Sequence, residues 1–264
     1  MTIFDSHAHY NDRQFGTESE RNAHITEILS GDVGYIINVG TEPENSRESL
    51  RIAETFETMY AAVGIHPSDL YELSDPEAAF QEIRAMASHP KAVAIGEIGL
   101  DYHWHEERKD FQKEWFHRQL TLAEELSLPV IVHDRDAHGD CLEAVCQHPN
   151  ACGVFHSFSG SAETAAELIK RGWYISFSGV ITFKNASRLA EIVPTIPDDR
   201  ILIETDCPYL TPHPHRGERN DSGYLHLTLE KAATLRGTSP EALAKQTLIN
   251  TARLFPKTGL TVTL

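Results

Sequence analysis

Cysteine is scarce in this chain, with four in 264 residues (Cys141, Cys146, Cys152 and Cys207). Their spacing makes neither a paired zinc motif nor a dense disulfide framework, so reduced thiols in the cytoplasm are expected. No run of about 18 apolar residues occurs, which excludes a transmembrane helix, and no membrane partner is expected. The opening residues, Met1-Thr2-Ile3-Phe4-Asp5, lack a basic region followed by an apolar core and read as a strand rather than a secretion signal. Positive charge is short too, with 23 Lys and Arg against 39 Asp and Glu and a net charge of −16. That balance excludes a protein that holds nucleic acid through a broad basic surface. An enzyme acting on phosphodiesters is still allowed, because bound dications create a local positive site in an acidic body. Low-complexity linkers and fixed-period repeats are missing, so one domain over 1–264 is expected, a length that suits a single α/β barrel.

What the chain does contain is alternation. Short apolar runs at 3–7, 34–39, 60–63, 92–96, 129–133, 153–156, 173–177 and 201–204 read as strands. Between them lie amphipathic stretches with apolar residues at helical spacing, near 43–56, 76–88, 108–126, 139–147, 162–171 and 186–192. A polar, proline-rich loop over 207–223 follows the last strand, and then come two helices near 225–236 and 239–254. Eight strand–helix units predict a closed parallel (β/α)₈ barrel of the TIM type. A doubly wound open sheet would use the same alternation, but it normally carries a Gly-rich phosphate loop after its first strand. Here that place holds Asp5-Ser6-His7-Ala8-His9.

The histidine pair in that segment decides little alone, since 15 His in 264 residues give about one His-x-His by chance. Three such pairs occur: His7/His9, His103/His105 and His213/His215. The last two fall in apparent loops, where solvated surface histidines are expected. His7 and His9 end the first strand, and a period of two points both the same way. Other strand ends carry similar groups: Glu97 just past strand four, His133 at the end of five, His156 at the end of six and Asp206 just past eight. Each follows residues that should be buried, and a buried charge or imidazole needs a partner. In a barrel the C-terminal strand ends converge on one mouth, where barrel enzymes place their sites. Imidazoles and carboxylates without thiolate suit Zn²⁺, Mn²⁺, Fe²⁺ or Co²⁺ and, with open positions, Mg²⁺. Six ligands exceed what one tetrahedral ion takes, so two ions with a bridging carboxylate are expected.

Six ordered motifs then carry a family resemblance. They are Asp5-x-His7-x-His9, Gly64-Ile65-His66-Pro67, Gly96-Glu97-Ile98-Gly99-Leu100-Asp101-Tyr102, His133-x-Arg135, His156-x-Phe158-Ser159-Gly160 and Glu204-Thr205-Asp206-x-Pro208-Tyr209-Leu210. In that order they resemble the TatD family, metal-dependent hydrolases of the amidohydrolase-like barrel group described as deoxyribonucleases, over residues 3 to about 255. The resemblance implies that His7, His9, Glu97 and Asp206 hold one divalent ion (Mg²⁺, Mn²⁺ or Zn²⁺), and that His133, His156 and a bridging Glu97 hold the second. It gives Asp206 the attacking water to orient or deprotonate, and makes His66 a substrate contact near the phosphate. Arg135 either neutralises a phosphate oxygen or forms a structural ion pair. Arg216, in the basic loop 213–220, is a candidate substrate contact.

The implied activity is a 3′→5′ exonuclease on single-stranded or frayed DNA ends, with the DNA held locally; a monomer fits this reading. The alternative is a binuclear hydrolase of a small ester, lactone, amide or acylated substrate. Relatives of that kind often bridge their ions with a carboxylated lysine at a strand end, whereas here no lysine ends a candidate strand and Glu97 takes that place. A non-catalytic binding protein is disfavoured by the complete ligand set. The chain departs from the family pattern at Asp221-Ser222-Gly223, where many relatives carry Glu-Pro, at Ser157, often Cys, and at Cys207, often Ala. These departures bear on substrate preference rather than on the proposed ligands.

Overall fold

The computed structural model describes residues 1–104 and 106–262. Eight strands form one parallel sheet in sequence order: β1 (Ile3–Ala8), β2 (Val33–Val39), β3 (Met59–Val63), β4 (Ala92–Asp101), β5 (Val130–Arg135), β6 (Gly153–Phe155), β7 (Tyr174–Phe177) and β8 (Ile201–Ile203). The ring closes through a parallel bridge between Ala8 and Cys207, where the His9 N–H donates to the Cys207 carbonyl at 2.7 Å. This is the expected (β/α)₈ barrel.

The crossovers are α1 (Glu18–Leu29), α2 (Pro43–Thr55), α3 (Pro76–Met86), α4 (Lys109–Leu126), α5 (His138–Gln147), α6 (Ala162–Lys170) and α7 (Ser187–Ile192). After β8 come α8 (Leu225–Arg236) and α9 (Pro240–Leu254). Apolar spacing did not reveal α1, because it buries only Arg21 and Ile25 and so has no stripe to read. Its start is set by a capping box instead, in which the Glu20 carboxylate accepts the Thr17 N–H at 2.8 Å and Thr17 Oγ1 accepts the Glu20 N–H.

The apolar core has two layers. Phe4, Ile37, Tyr60, Val93, Ile131, Val154, Tyr174 and Leu202, drawn from all eight strands, fill the barrel interior, and Leu254 and Phe255 at the end of α9 join them. A larger cluster lies between the sheet and the helices. Asn250 of α9 fastens the outer layer to the sheet by donating to the carbonyls of Asp198 (2.7 Å) and Ile201 (2.9 Å).

Two irregularities in the strands aim the chemistry. Asp5 and Ala8 of β1 pair with Ile36 and Asn38 of β2, so β1 spends one residue more than its neighbour. Strict alternation would put Asp5 and His7 on one face. With the extra residue, Asp5 turns to Thr205 and Ser222 while His7 turns to Glu97 and Asp206. In β4 the step lies between Ile95 and Ile98, which pair with Val130 and Val132 of β5. Ile95 and Ile98 both pack in the helix-facing layer, so the extra residue frees Glu97 to face inward. The strand does not stop at residue 96 as the sequence suggested; it runs on to Asp101 with all ten residues buried. Gly99, at φ +145°, makes this continuation possible, since a Cβ there would lie 2.0 Å from the His133 carbonyl oxygen.

Candidate metal centre

The six residues expected as ligands meet at the C-terminal mouth of the barrel. Glu97 lies between two sets of nitrogen donors, 3% exposed. Its Oε2 is 3.3 Å from His7 Nε2 and 3.5 Å from His9 Nε2. Its Oε1 is 2.7 Å from both His133 Nδ1 and His156 Nε2. Asp206 Oδ1 completes the first set, 3.5 Å from His7 Nε2 and 3.4 Å from His9 Nε2, and the two Nε2 atoms are 2.9 Å apart. A tetrahedral ion with ligands at about 2.0–2.1 Å needs ligand–ligand edges of roughly 3.3 Å. The five separations given for the first set, 2.9 to 3.5 Å, lie near that value. In the second set, His133 Nδ1 and His156 Nε2 are 3.3 Å apart, both facing Glu97 Oε1.

Hydrogen bonds on the far sides of the rings separate candidate ligands from a donor. His9 Nδ1 faces the Val39 carbonyl at 2.9 Å, which requires an N–H there and leaves the Nε2 lone pair aimed at the cluster. His156 Nδ1 lies 3.3 Å from Glu204 Oε1, and His133 Nε2 lies 3.1 Å from Asp101 Oδ2, with the same consequence. His66 is the opposite case. Its Nδ1 accepts the Ser68 N–H at 3.1 Å, so the proton sits on Nε2, which faces Glu97 Oε1 at 3.6 Å. By distance His66 could join Glu97 and His133 around an ion. Its tautomer makes it a hydrogen-bond donor pointing into the mouth instead.

The electrostatics agree with a cation-seeking cluster. Burial pushes the Glu97 carboxyl up, but the charge of His156 and the His133 hydrogen bond outweigh it and hold Glu97 well below its usual range. For His156 burial works downward, and the Glu97 and Glu204 carboxylates reverse it and raise the imidazole well above 6.5. Asp206 is likewise kept low, since burial is outweighed by the His9 hydrogen bond and the nearby histidines. His66 goes the other way, down to about 3, through burial and the neighbouring His133, and is therefore neutral near pH 7.

Three supporting carboxylates were not singled out in the sequence, although each lies inside a quoted motif. Asp101 and Glu204 fix the His133 and His156 rings. Asp5, fully buried and raised to about 6 by desolvation, accepts hydroxyl hydrogen bonds from Thr205 and Ser222 at 2.6 Å each. It thereby ties β1, which carries His7, to the segment that carries Asp206. The Ser222 departure thus has a structural use. Glu204→Gln is expected to weaken divalent-ion affinity about 10- to 100-fold while the fold persists. Calorimetric titration with Zn²⁺ or Mn²⁺ measures this, and unchanged affinity would remove Glu204 from the site.

The cluster opens into a cavity of about 410 Å³. Arg135 stands on its rim with the guanidinium over the Trp104 ring at 5.5 Å, and no carboxylate among the described residues forms an ion pair with it. Arg216 is set apart: it packs on Phe183 at 3.8 Å, donates to the Thr211 carbonyl at 3.1 Å and does not line the cavity. His103 is solvated and faces Asp136, and His213 is exposed, as expected; His105 lies outside the described residues. No helix is long and apolar enough to cross a membrane among the described residues.

Comparison with known proteins agrees with this geometry. The family described as TatD related DNase matches residues 4–256. The chain is 42% identical to the Bacillus subtilis protein named uncharacterized metal-dependent hydrolase YabD, covering 96% of this chain and 98% of that one. It is 34% identical to a Cronobacter sakazakii protein named 3′-5′ ssDNA/RNA exonuclease TatD, covering 97% and 98%. Among solved structures, the Escherichia coli TatD homologue YjjV superposes with a TM-score of 0.90 at 30% identity, covering 96% of this chain and 98% of that one. With donor sets of this chemistry at the mouth of a barrel of this kind, the chain belongs to the TatD related DNase family and is a metal-dependent hydrolase.

Proposed function

We propose that this chain is a two-metal phosphodiesterase of the cytoplasm that removes nucleotides from the 3′ ends of single-stranded or frayed DNA. The observation that carries the reading is the division of Glu97, with one carboxylate oxygen for each donor set. His7, His9, Glu97 and Asp206 would hold one ion, and His133, His156 and Glu97 the other. When bound, the ions supply Lewis acidity at a phosphoryl oxygen and make a water acidic enough to attack. Asp206, ionised at neutral pH, would orient the attacking water and take its proton. Neutral His66 donates its Nε2–H to a phosphate oxygen as charge builds there. Arg135, at the rim, pairs with the phosphate of the same strand. The name of the Cronobacter relative supports the substrate class. Four free cysteines, two of them buried, accord with a reducing compartment.

The test is an end-labelled single-stranded oligonucleotide incubated with Mg²⁺, Mn²⁺ or Zn²⁺, and with chelator. Stepwise shortening from the 3′ end that the chelator abolishes is the expected result. One feature favours a second reading: Asp12 and Asp69 put carboxylates on the cavity wall, which suits a small uncharged ester, lactone or amide. Turnover of such substrates without cleavage of the oligonucleotide under any ion would replace the nuclease reading.

A further inference from the structure

Among the described residues, the large apolar side chains left exposed are Met1, Trp104 at 63% and Tyr209 at 48%. Met1 is the chain terminus, while Trp104 and Tyr209 both line the cavity that holds the histidine–carboxylate cluster. Trp104 follows β4 and Tyr209 follows β8. Four strands apart in a ring of eight, they stand on opposite rims. Tyr209 is already engaged: its hydroxyl donates to Asp12 at 2.7 Å and its ring meets His9 edge-on. Trp104 keeps most of its surface open.

This indole is held in place. Asp101 Oδ1 accepts the backbone N–H groups of His103 (2.9 Å) and Trp104 (3.1 Å), closing a tight turn directly after β4. The Gln112 side chain, buried on α4, clamps the Asp101 backbone at both its N–H (2.8 Å) and its carbonyl (2.9 Å). Asp101 Oδ2 is the atom that fixes His133. One carboxylate therefore sets both the ring of a proposed ligand and the position of the exposed indole. His103 meets Trp104 edge-on at 4.6 Å, and the Arg135 guanidinium lies over its ring.

We propose that Trp104, backed by Arg135, is a substrate-selecting residue that stacks a nucleobase next to the phosphodiester to be cut. This rests on the nuclease reading of the same site. A chain with net charge −16, whose cavity is lined by one Arg and no Lys among the described residues, has few cationic side chains with which to hold a strand along its phosphates. Base stacking on an aromatic face does not depend on net charge and tolerates any base. Its loss costs roughly 5- to 150-fold in affinity per base.

The experiment compares a single-stranded oligonucleotide with the same strand carrying abasic tetrahydrofuran residues at its last two 3′ positions. Trp104→Ala is expected to raise KM for the intact strand at least about 5-fold. KM for the abasic strand should stay within about two-fold, and Trp104→Phe should restore most of the loss, since a phenyl face still stacks. An equal change on both strands, or none on either, overturns the proposal. A second arm does not need turnover. Of the three tryptophans, Trp115 and Trp173 are 5% and 1% exposed, so acrylamide quenching of intrinsic fluorescence reports on Trp104. The intact strand should shield this fluorescence and the abasic strand should not. Shielding without cleavage leaves the stacking site standing while the nuclease reading fails; cleavage without shielding does the reverse.

Discussion

Glu97→Ala is expected to lose bound metal and hydrolytic activity together, with kcat/KM falling at least about 10³-fold, or about 4 kcal/mol of transition-state stabilisation. The reason is the sharing of one carboxylate. Its Oε2 is within 3.5 Å of His7 and His9, and its Oε1 within 2.7 Å of His133 and His156. Removing both oxygens takes a ligand from each set and leaves a nest of imidazoles with no central anion. Cations and raised histidines alike depend on that anion, as the upward shift of His156 shows. Elemental analysis of the purified variant beside steady-state rates checks both losses. Glu97→Gln serves as the companion variant, because it keeps the side-chain volume but removes the negative charge and one of the two oxygens that face the donor sets. Full activity in either variant would end the bridging assignment.

Asp206→Asn is expected to separate metal content from rate. Three residues of its set, His7, His9 and Glu97, still lie together, so most of the metal should stay. The rate should fall by about 10²- to 10⁴-fold, the range set by loss of a positioned proton acceptor. Asn is the informative replacement, since Asp206 sits at φ +58°, a left-handed conformation that Asn tolerates. The Asp206 N–H also donates to the His7 carbonyl at 2.9 Å, and that bond is kept. The Asp206 carboxyl is held below its usual value of 3.8, so it stays ionised until the pH falls beneath that value. No acid limb in the wild-type rate above about pH 4 should therefore come from Asp206. Metal and kcat lost in equal proportion would make Asp206 a ligand alone.

Much of this was readable in the order of residues. Strand ends betray themselves because an apolar run that stops at His, Asp or Glu leaves a polar group where burial is costly. His133 after Val130-Ile131-Val132 and His156 after Val154-Phe155 are such cases. Where the pattern misled, the cause is physical. The Gly96-Glu97-Ile98-Gly99 segment carries turn-like glycines, yet β5 covers it and the strand continues to Asp101. Helix α1 shows little apolar spacing because the barrel buries so little of it.

The sequence alone determined the eight-fold alternation, the barrel it predicts and the residue types that meet at the mouth, because burial periodicity is local and the carboxyl ends of parallel strands must converge. Tertiary structure decided which way those residues face and what each hydrogen bond leaves free. The extra residues in β1 and β4 turn His7 and Glu97 inward, a reversal that depends on pairing with the neighbouring strand. The Ser68 N–H on His66, and the carboxylates of Asp101 and Glu204 on His133 and His156, sort a donor from the neighbouring candidate ligands. Those partners lie 2, 32 and 48 residues away in the chain, and only the folded barrel puts the distant ones within hydrogen-bond reach.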